Sequence, residues 1–287
     1  MTYPLLKLGG ATHQPLIHIA IANGFPPETY LPFLRPLFEH YQVLCVPPRA
    51  LWGGETVPAV QGNWLELKDD FLAAIQEHNL NNIIAIGHSF GAIVSFLAAL
   101  EAPQYFKSII ALDPTILHPN FLEMNRAAQQ QGLQPVEYNP MVPLALKRRA
   151  HFDNREQAFE YFQQRSLFKD WESEAYGAYI EYGLETAPGG LQLSWSPAWE
   201  AYYFGGVYTE IWSDLEAISQ LNLPTLILRG SETDVYIEEV AQSVQALLPR
   251  AQHQTIEGHG HLFPQTAPEI TTALVLKWLK ATGQFCP

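Results

Sequence analysis

The sequence contains little cysteine and little charge. Only two of its 287 residues are cysteine, Cys45 in an apolar run and Cys286 beside the last residue. Disulfide scaffolds need more cysteines than this, so we expect no disulfide framework. We expect Cys45 to pack as a small hydrophobic side chain. Charged residues make up 16% of the chain and hydrophobic residues 47%, a composition that excludes a disordered chain.

Runs of basic residues and long apolar runs are also missing. The chain has 16 Lys and Arg against 29 Asp and Glu, a net charge of −13, so nucleic acid and anionic membranes are not expected partners. No run approaches the roughly 20 apolar residues of a membrane span, and the first residues lack the features of a secretion signal. We therefore expect a cytoplasmic protein with no membrane span, built as one large domain or as a core with an insertion.

Short aliphatic runs alternate with amphipathic stretches along most of the chain, which predicts a mostly parallel sheet with helices on both faces. The predicted strands cover residues 16–22, 42–47, 83–86, 108–112, 225–228 and 253–256. The predicted helices cover residues 28–40, 64–77, 93–100, 237–248 and 267–280. The alternation stops between residues 115 and 222, where helix-like segments and many aromatic residues stand instead. This predicts an α/β core domain of residues 1–114 and 223–287, interrupted by a helical insertion of residues 115–222.

Ser89 stands between two glycines in Gly87-His88-Ser89-Phe90-Gly91, after an apolar strand and before an apolar helix. A Gly-x-Ser-x-Gly motif in this context indicates a nucleophile elbow, a tight turn that presents the serine hydroxyl. The glycines avoid clashes in the strained turn. The N–H of Phe90, at the helix N-terminus, is then a candidate donor to an oxyanion.

A serine nucleophile needs a base, and the base needs an acid to orient it. His261 lies in a glycine-rich loop after the last predicted strand and is preferred over His259, because an apolar segment and a helix follow it. Asp234, on the loop after strand 225–228, is the preferred acid; Glu232 and Asp113 are the alternatives. A second oxyanion donor is expected from the loop after the first predicted strand, at the N–H of Phe25.

Neither a metal nor an organic cofactor is expected. The two histidines of the His259-x-His261 pair have no further ligands nearby in the sequence, so a metal site there is not favoured.

These motifs, in this order, resemble the α/β-hydrolase superfamily over nearly the whole chain. The resemblance rests on Asn23-Gly24-Phe25-Pro26, the Ser89 motif, the segment from Gly230 to Asp234 and the segment from Gly258 to His261. Such proteins commonly carry His where Asn23 stands. The resemblance implies a serine hydrolase with a Ser-His-Asp triad and an oxyanion hole. It also implies that the insertion acts as a cap over the cleft.

Aromatic residues are dense in the second half of the insertion. Trp195, Trp199, Tyr203 and Phe204 are candidates for an aromatic pocket that binds an apolar acyl or alkyl group. Three further aromatics at helical spacing, Tyr176, Tyr179 and Tyr182, are expected to be core residues. The basic cluster Lys147-Arg148-Arg149 is interpreted as a solvated helix face in preference to an anchor for a substrate carboxylate.

The sequence therefore predicts an esterase that cleaves small or medium apolar carboxylic esters through an acyl-enzyme. The same residues also fit cleavage of C–C, lactone or thioester bonds, or perhydrolysis. A ligand-binding receptor with little turnover is a further hypothesis, because fold alone does not determine function.

Overall fold

The computed structural model describes residues 2–285, so Cys286 lies outside the described residues. The strands, in chain order, are β1 (Leu6–Gly9), β2 (Leu16–Ala20), β3 (Gln42–Cys45), β4 (Ile83–His88), β5 (Phe106–Leu112), β6 (His151–Phe152), β7 (Leu184–Ala187), β8 (Gly190–Leu193), β9 (Thr225–Gly230) and β10 (Gln252–Ile256).

The α-helices are α1 (Leu31–Leu34), α2 (Leu65–Glu77), α3 (Phe90–Glu101), α4 (Pro119–Gln130), α5 (Pro135–Tyr138), α6 (Met141–Leu146), α7 (Arg155–Gln163), α8 (Ser173–Tyr182), α9 (Pro197–Gly205), α10 (Ile211–Gln220), α11 (Glu238–Leu247), α12 (Phe263–Thr266) and α13 (Pro268–Ala281). Short 3₁₀ helices cover Pro27–Tyr30, Arg35–Leu37, Arg49–Leu51, Pro103–Tyr105 and Ser166–Phe168.

Seven strands form one sheet in the order β1-β3-β2-β4-β5-β9-β10. All neighbours pair in parallel except β1, which runs antiparallel to β3. The predicted α/β class with a mostly parallel sheet is therefore confirmed. β1 is not among the predicted strands; Leu6 and Lys7 are exposed on this edge strand, so it lacks the apolar run that marks the inner strands.

The strand order reverses between β2 and β4, since the chain adds β3 on one side of β2 and β4 on the other. In open α/β sheets the crevice outside the carboxyl ends at such a reversal is the usual ligand site. Two loops meet there, the one that follows β2 and the turn that follows β4. The strand order therefore brings the loop of Phe25 next to the Ser89 motif.

Two groups of helices accompany the sheet: α2 and α10 pack on α3, while α1 and α12 pack on α13. The predicted helix over residues 28–40 is instead broken into a 3₁₀ turn, the four-residue α1 and a second 3₁₀ turn. Pro27, Pro32 and Pro36 stand at the first or second position of these three pieces. A proline lacks the N–H that a continuing helix would need, so each one starts a new turn.

The segment between β5 and β9 contains α4 to α10 and a small antiparallel sheet of order β6-β8-β7. A cluster of buried aromatics in it includes Phe162, Trp171 and Tyr179, and packs on Ala22 and Phe25 after β2. The segment therefore covers the loop that follows β2. Its last helix, α10, packs on α3 and α11 and so joins the helices of the main sheet.

Within residues 2–285 no helix is both long enough and apolar enough to cross a bilayer. The cytoplasmic location stays a prediction.

Candidate active site

Ser89 lies in a strained turn between β4 and α3, with φ of 59° and ψ of −127°. A Cβ on Gly91 would lie 2.3 Å from the carbonyl oxygen of Ala20, and one on Gly87 would lie 2.5 Å from the Cα of Ala92. Neither glycine position has room for a side chain. The Ser89 N–H donates to the Leu112 carbonyl at 3.0 Å, which fastens the turn to the end of β5.

The imidazole of His261 joins Ser89 to a buried carboxylate. Its Nε2 lies 2.9 Å from Ser89 Oγ, and its Nδ1 lies 2.6 Å from Oδ2 of Asp113. Because a carboxylate accepts the hydrogen bond, the ring proton belongs on Nδ1, which leaves Nε2 free to accept the Ser89 hydroxyl proton. The sequence-predicted Ser89 and His261 are thus brought together in the geometry that general-base catalysis requires.

Asp113 is fully buried directly after β5. Its Oδ1 accepts the Gly230 N–H at 3.0 Å, and its Oδ2 accepts the Thr233 hydroxyl at 2.5 Å as well as the His261 proton. The donors come from β9, from the loop after β9 and from the histidine loop. The carboxylate is therefore held rigidly and its orientation is set before any substrate arrives.

The preferred prediction of Asp234 as the partner of His261 is wrong. Asp234 is exposed, whereas its neighbour Thr233 is buried and donates to Asp113. The turn after β9 thus directs the threonine inward and the aspartate outward. Asp113, the alternative weighed from the sequence, occupies the position because it ends a strand adjacent to β4.

The other two alternatives also lie apart from this arrangement. Glu232 is exposed on the turn after β9. The Nδ1 of His259 lies 3.1 Å from the Thr266 hydroxyl, a contact with the end of α12. The imidazole that reaches Ser89 is that of His261.

A buried chain of hydrogen bonds behind the turn was missed from the sequence. The Ala22 N–H donates to the Tyr30 hydroxyl at 2.9 Å, and that hydroxyl lies 2.6 Å from Nδ1 of His88. Since the oxygen already accepts from Ala22, its own proton goes to His88. The Nε2–H of His88 then donates to the carbonyl of His261 at 2.9 Å.

Burial, and then the proximity of His261, hold the pKa of His88 well below its usual range. A neutral imidazole is what the chain of bonds requires, because its Nδ1 accepts and its Nε2 donates. His88 therefore connects the loop after β2 to the backbone of His261. The only sequence signal for it is its position inside the serine motif.

Thr115 is a second residue that sequence reasoning missed. Its hydroxyl lies 2.9 Å from Ser89 Oγ, and its N–H donates to the Ser89 carbonyl at 3.2 Å. Because the Ser89 proton points to His261, the Thr115 hydroxyl is the donor in this pair. One lone pair of Ser89 Oγ is thereby occupied, which restricts the rotamer of the nucleophile. Nothing in the sequence around Thr115 marks it.

The two predicted oxyanion donors lie on adjacent loops. Phe90 is the first residue of α3, so its N–H has no acceptor within the helix. Phe25 follows β2, and its side chain packs against Trp171 with ring centroids 5.4 Å apart. The close contact of Gly91 with Ala20 and Ile21 sets the end of β2 beside the turn that carries Ser89.

Three of the four predicted pocket aromatics form one ring cluster that reaches Phe90. The Tyr203 ring lies 5.6 Å from that of Phe90, and both Trp195 and Trp199 pack on Tyr203 at 5.7 and 5.5 Å. Phe204 packs elsewhere, against a small cluster formed by α6 and α9. The structure therefore does not bring Phe204 together with the other three.

For Arg148, the interpretation as part of a solvated helix face is wrong. Its side chain is only 14% exposed, and it forms an ion pair with Glu200, which is buried to the same extent. A second guanidinium nitrogen donates to the Tyr179 hydroxyl. Burial alone lowers the pKa of Arg148, but Tyr179 and Glu200 outweigh it and raise the pKa. The guanidinium is therefore charged and internally paired.

Comparison with known proteins places this architecture and geometry in a family. The chain matches the model of the α/β hydrolase fold over residues 20–268. It is 24% identical, over 274 residues, to the (E)-2-((N-methylformamido)methylene)succinate hydrolase of Acinetobacter baylyi, covering 94% of this chain and 91% of the relative.

Two solved structures illustrate the shared fold. E-2-(acetamidomethylene)succinate hydrolase superposes with a TM-score of 0.75 at 20% identity, covering 96% of this chain and 94% of that one. The thioesterase domain from the curacin biosynthetic pathway superposes with a TM-score of 0.69 at 18% identity, covering 95% and 94%. The chain belongs to the α/β hydrolase fold family, and the prediction that it is a hydrolase of this class is confirmed.

The position of the carboxylate leads to a first prediction. In Asp113→Asn an amide nitrogen in either orientation faces a donor, because both carboxylate oxygens accept hydrogen bonds. We expect kcat for hydrolysis of an activated ester to fall by about ten-thousand-fold, the loss typical of an amide in the acid position of a triad. Asp234→Asn is the matched control and should stay within about twofold of the unchanged protein. A large loss in the control and a small one in Asp113→Asn would contradict the assignment.

The contact of Thr115 with the nucleophile leads to a second prediction. Thr115→Val keeps the shape of the side chain and removes the hydroxyl, so we expect kcat/KM to fall about tenfold, the contribution of one hydrogen bond. Thr115→Ser retains the donor and should recover most of the activity. Steady-state kinetics with one activated ester measures both variants, and equal rates for Thr115→Val and the unchanged protein would refute the role.

Proposed function

We propose that the chain is a serine hydrolase that cleaves a small or medium apolar carboxylic ester through an acyl-enzyme. The observation that carries the proposal is the continuous series of hydrogen bonds from Ser89 through His261 to the buried Asp113. A serine hydroxyl is a weak nucleophile at neutral pH and becomes reactive when an oriented base accepts its proton.

In the first half of the reaction, Ser89 Oγ attacks the ester carbonyl carbon while its proton passes to Nε2 of His261. Asp113 stabilises the imidazolium that forms. The tetrahedral intermediate then collapses, the bond to the alkoxy group breaks, and the imidazolium donates its proton to the departing alcohol. The acyl group is now esterified to Ser89.

In the second half, water replaces the alcohol. Nε2 of His261 accepts a proton from the water as its oxygen attacks the acyl carbon. The second tetrahedral intermediate expels Ser89 Oγ, which regains its proton from the imidazolium. The products are the carboxylic acid and the free enzyme, and no metal or organic cofactor takes part.

The N–H groups of Phe25 and Phe90 are proposed to hold the oxyanion in both halves. Donors fixed in advance stabilise developing charge more than water does, since they need no reorganisation. The segment of residues 115–222 is proposed to act as a cap, because it packs over the loop of Phe25. The ring cluster of Trp195, Trp199 and Tyr203 beside Phe90 is proposed as the apolar wall of the acyl pocket.

A second candidate keeps the same nucleophile and changes the bond. One relative is named as a hydrolase of an amidomethylene succinate and a structural neighbour as a thioesterase, which makes C–N and thioester bonds reasonable alternatives to oxygen esters. C–C and lactone cleavage and perhydrolysis would use the same groups. The receptor hypothesis is disfavoured, because a receptor has no need of a strained serine aligned with a base.

The proposal predicts that a fluorophosphonate probe labels Ser89. We expect covalent labelling of the unchanged protein, located on Ser89 by peptide mass spectrometry, and hydrolysis of p-nitrophenyl esters with a preference for short to medium chains. Ser89→Ala should lose both properties. A panel of esters, thioesters and lactones at matched chain length then ranks the bond types.

Absence of labelling in folded protein, or equal ester turnover by Ser89→Ala, would overturn the proposal. Tight ligand binding together with negligible turnover would favour the receptor instead.

A further inference from the structure

We propose that Glu200 neutralises Arg148 beside the active site, so that the site takes acyl groups without charge and Glu200 determines this preference. The inference rests on the proposed function and names the substrate class for it.

The pair lies against the loop that carries the proposed oxyanion donor. A Cβ on Gly24 would lie 3.3 Å from Cδ of Glu200 and 3.4 Å from Nη1 of Arg148. The side chain of Asn23, the preceding residue, donates to the backbone carbonyl of Glu200 at 3.0 Å. Both charged groups therefore contact the segment that immediately precedes Phe25.

The position of Arg148 is one that would otherwise attract an anion. A guanidinium offers five donors in a planar fork suited to carboxylates, and removal from water strengthens that attraction. Here the carboxylate is supplied by Glu200 from α9, and Tyr179 from α8 takes a further donor. A substrate carboxylate would have to displace a partner that is tethered to the chain and already in place.

The surroundings also disfavour an anionic substrate. Aromatic rings flank the pair: the Arg148 guanidinium lies 5.8 Å from the ring centroid of Phe162 and 5.9 Å from that of Tyr179. The whole chain carries a net charge of −13, which lowers the local concentration of anions. An uncharged acyl group avoids both costs.

The test compares two esters of the same shape and different charge. The p-nitrophenyl ester of 4-methylpentanoic acid ends in two methyl groups, and the mono-p-nitrophenyl ester of succinic acid has a carboxylate in their place. Ser89→Ala protein supplies the background rate for each ester. We expect the unchanged protein to prefer the neutral ester by at least about a hundredfold in kcat/KM, since an unpaired buried charge is costly.

Glu200→Gln removes the negative charge and keeps the backbone carbonyl that Asn23 uses. We expect this variant to raise kcat/KM for the anionic ester relative to the neutral one by about tenfold to a hundredfold, the contribution of a charge-assisted hydrogen bond. The double variant Arg148→Met/Glu200→Met is the matched control. It removes both charges and should retain the preference for the neutral ester.

A comparable rate of the unchanged protein on both esters would overturn the inference without any variant, and so would an unchanged ratio in a folded Glu200→Gln. In both outcomes the turnover that depends on Ser89 leaves the proposed hydrolase function standing. Turnover of neither ester, with no labelling of Ser89, would instead remove the proposed function and this inference with it.

Discussion

The buried carboxylate of Asp113 is the constraint on which the arrangement of the site depends. It follows β5, accepts hydrogen bonds from Gly230 and Thr233, and holds the imidazole of His261. Three chain segments that are far apart in sequence converge on two oxygen atoms. A buried carboxylate that lost one of these donors would bear a large desolvation cost, so the three contacts support one another.

A second set of bonds holds the same imidazole from its backbone side. His88 accepts from Tyr30 and donates to the carbonyl of His261, while Tyr30 in turn accepts from Ala22. The histidine loop is therefore fixed by Asp113 at the ring and by His88 at the main chain. Because Ala22 lies at the start of the loop that carries Phe25, the position of the base and that of the proposed oxyanion donor depend on one network. Placing reacting groups in advance in this way is how a folded site lowers the barrier without moving during the reaction.

The parts of this structure that repeat along the chain could be predicted from the sequence. The inner strands are short apolar runs, and the serine motif has a strand before it and a helix after it, so the fold class and the Ser89 and His261 partners follow from local patterns. The broken helix before β3 was missed because the prediction followed the apolar spacing and gave too little weight to three prolines. β1 was missed because an exposed edge strand carries no such pattern.

The acid could not be decided from the sequence, because the choice depends on which way a turn faces. Asp234 and Asp113 each follow a strand of the sheet, and only the tertiary structure shows that Thr233 points inward and Asp234 outward. Thr115 and Arg148 were missed for a related reason. Their partners, Ser89 and Glu200, are 26 and 52 residues away, and no periodicity connects positions at such separations.

The division of labour between the two parts of the chain follows from these contacts. The core strands supply Ser89, Asp113 and His261, which are held by buried hydrogen bonds to neighbouring strands and loops. Residues 115–222 supply what surrounds the ester: Thr115 on the nucleophile, the ring cluster beside Phe90 and the Arg148–Glu200 pair beside Gly24. Replacement of the core residues therefore acts on the chemical step itself, whereas replacement of residues in the insertion acts first on which acyl group reaches Ser89. The loop after β2 is the one element that both parts hold, through Ala22 on one side and Asn23 on the other, so reactivity and selectivity are coupled there.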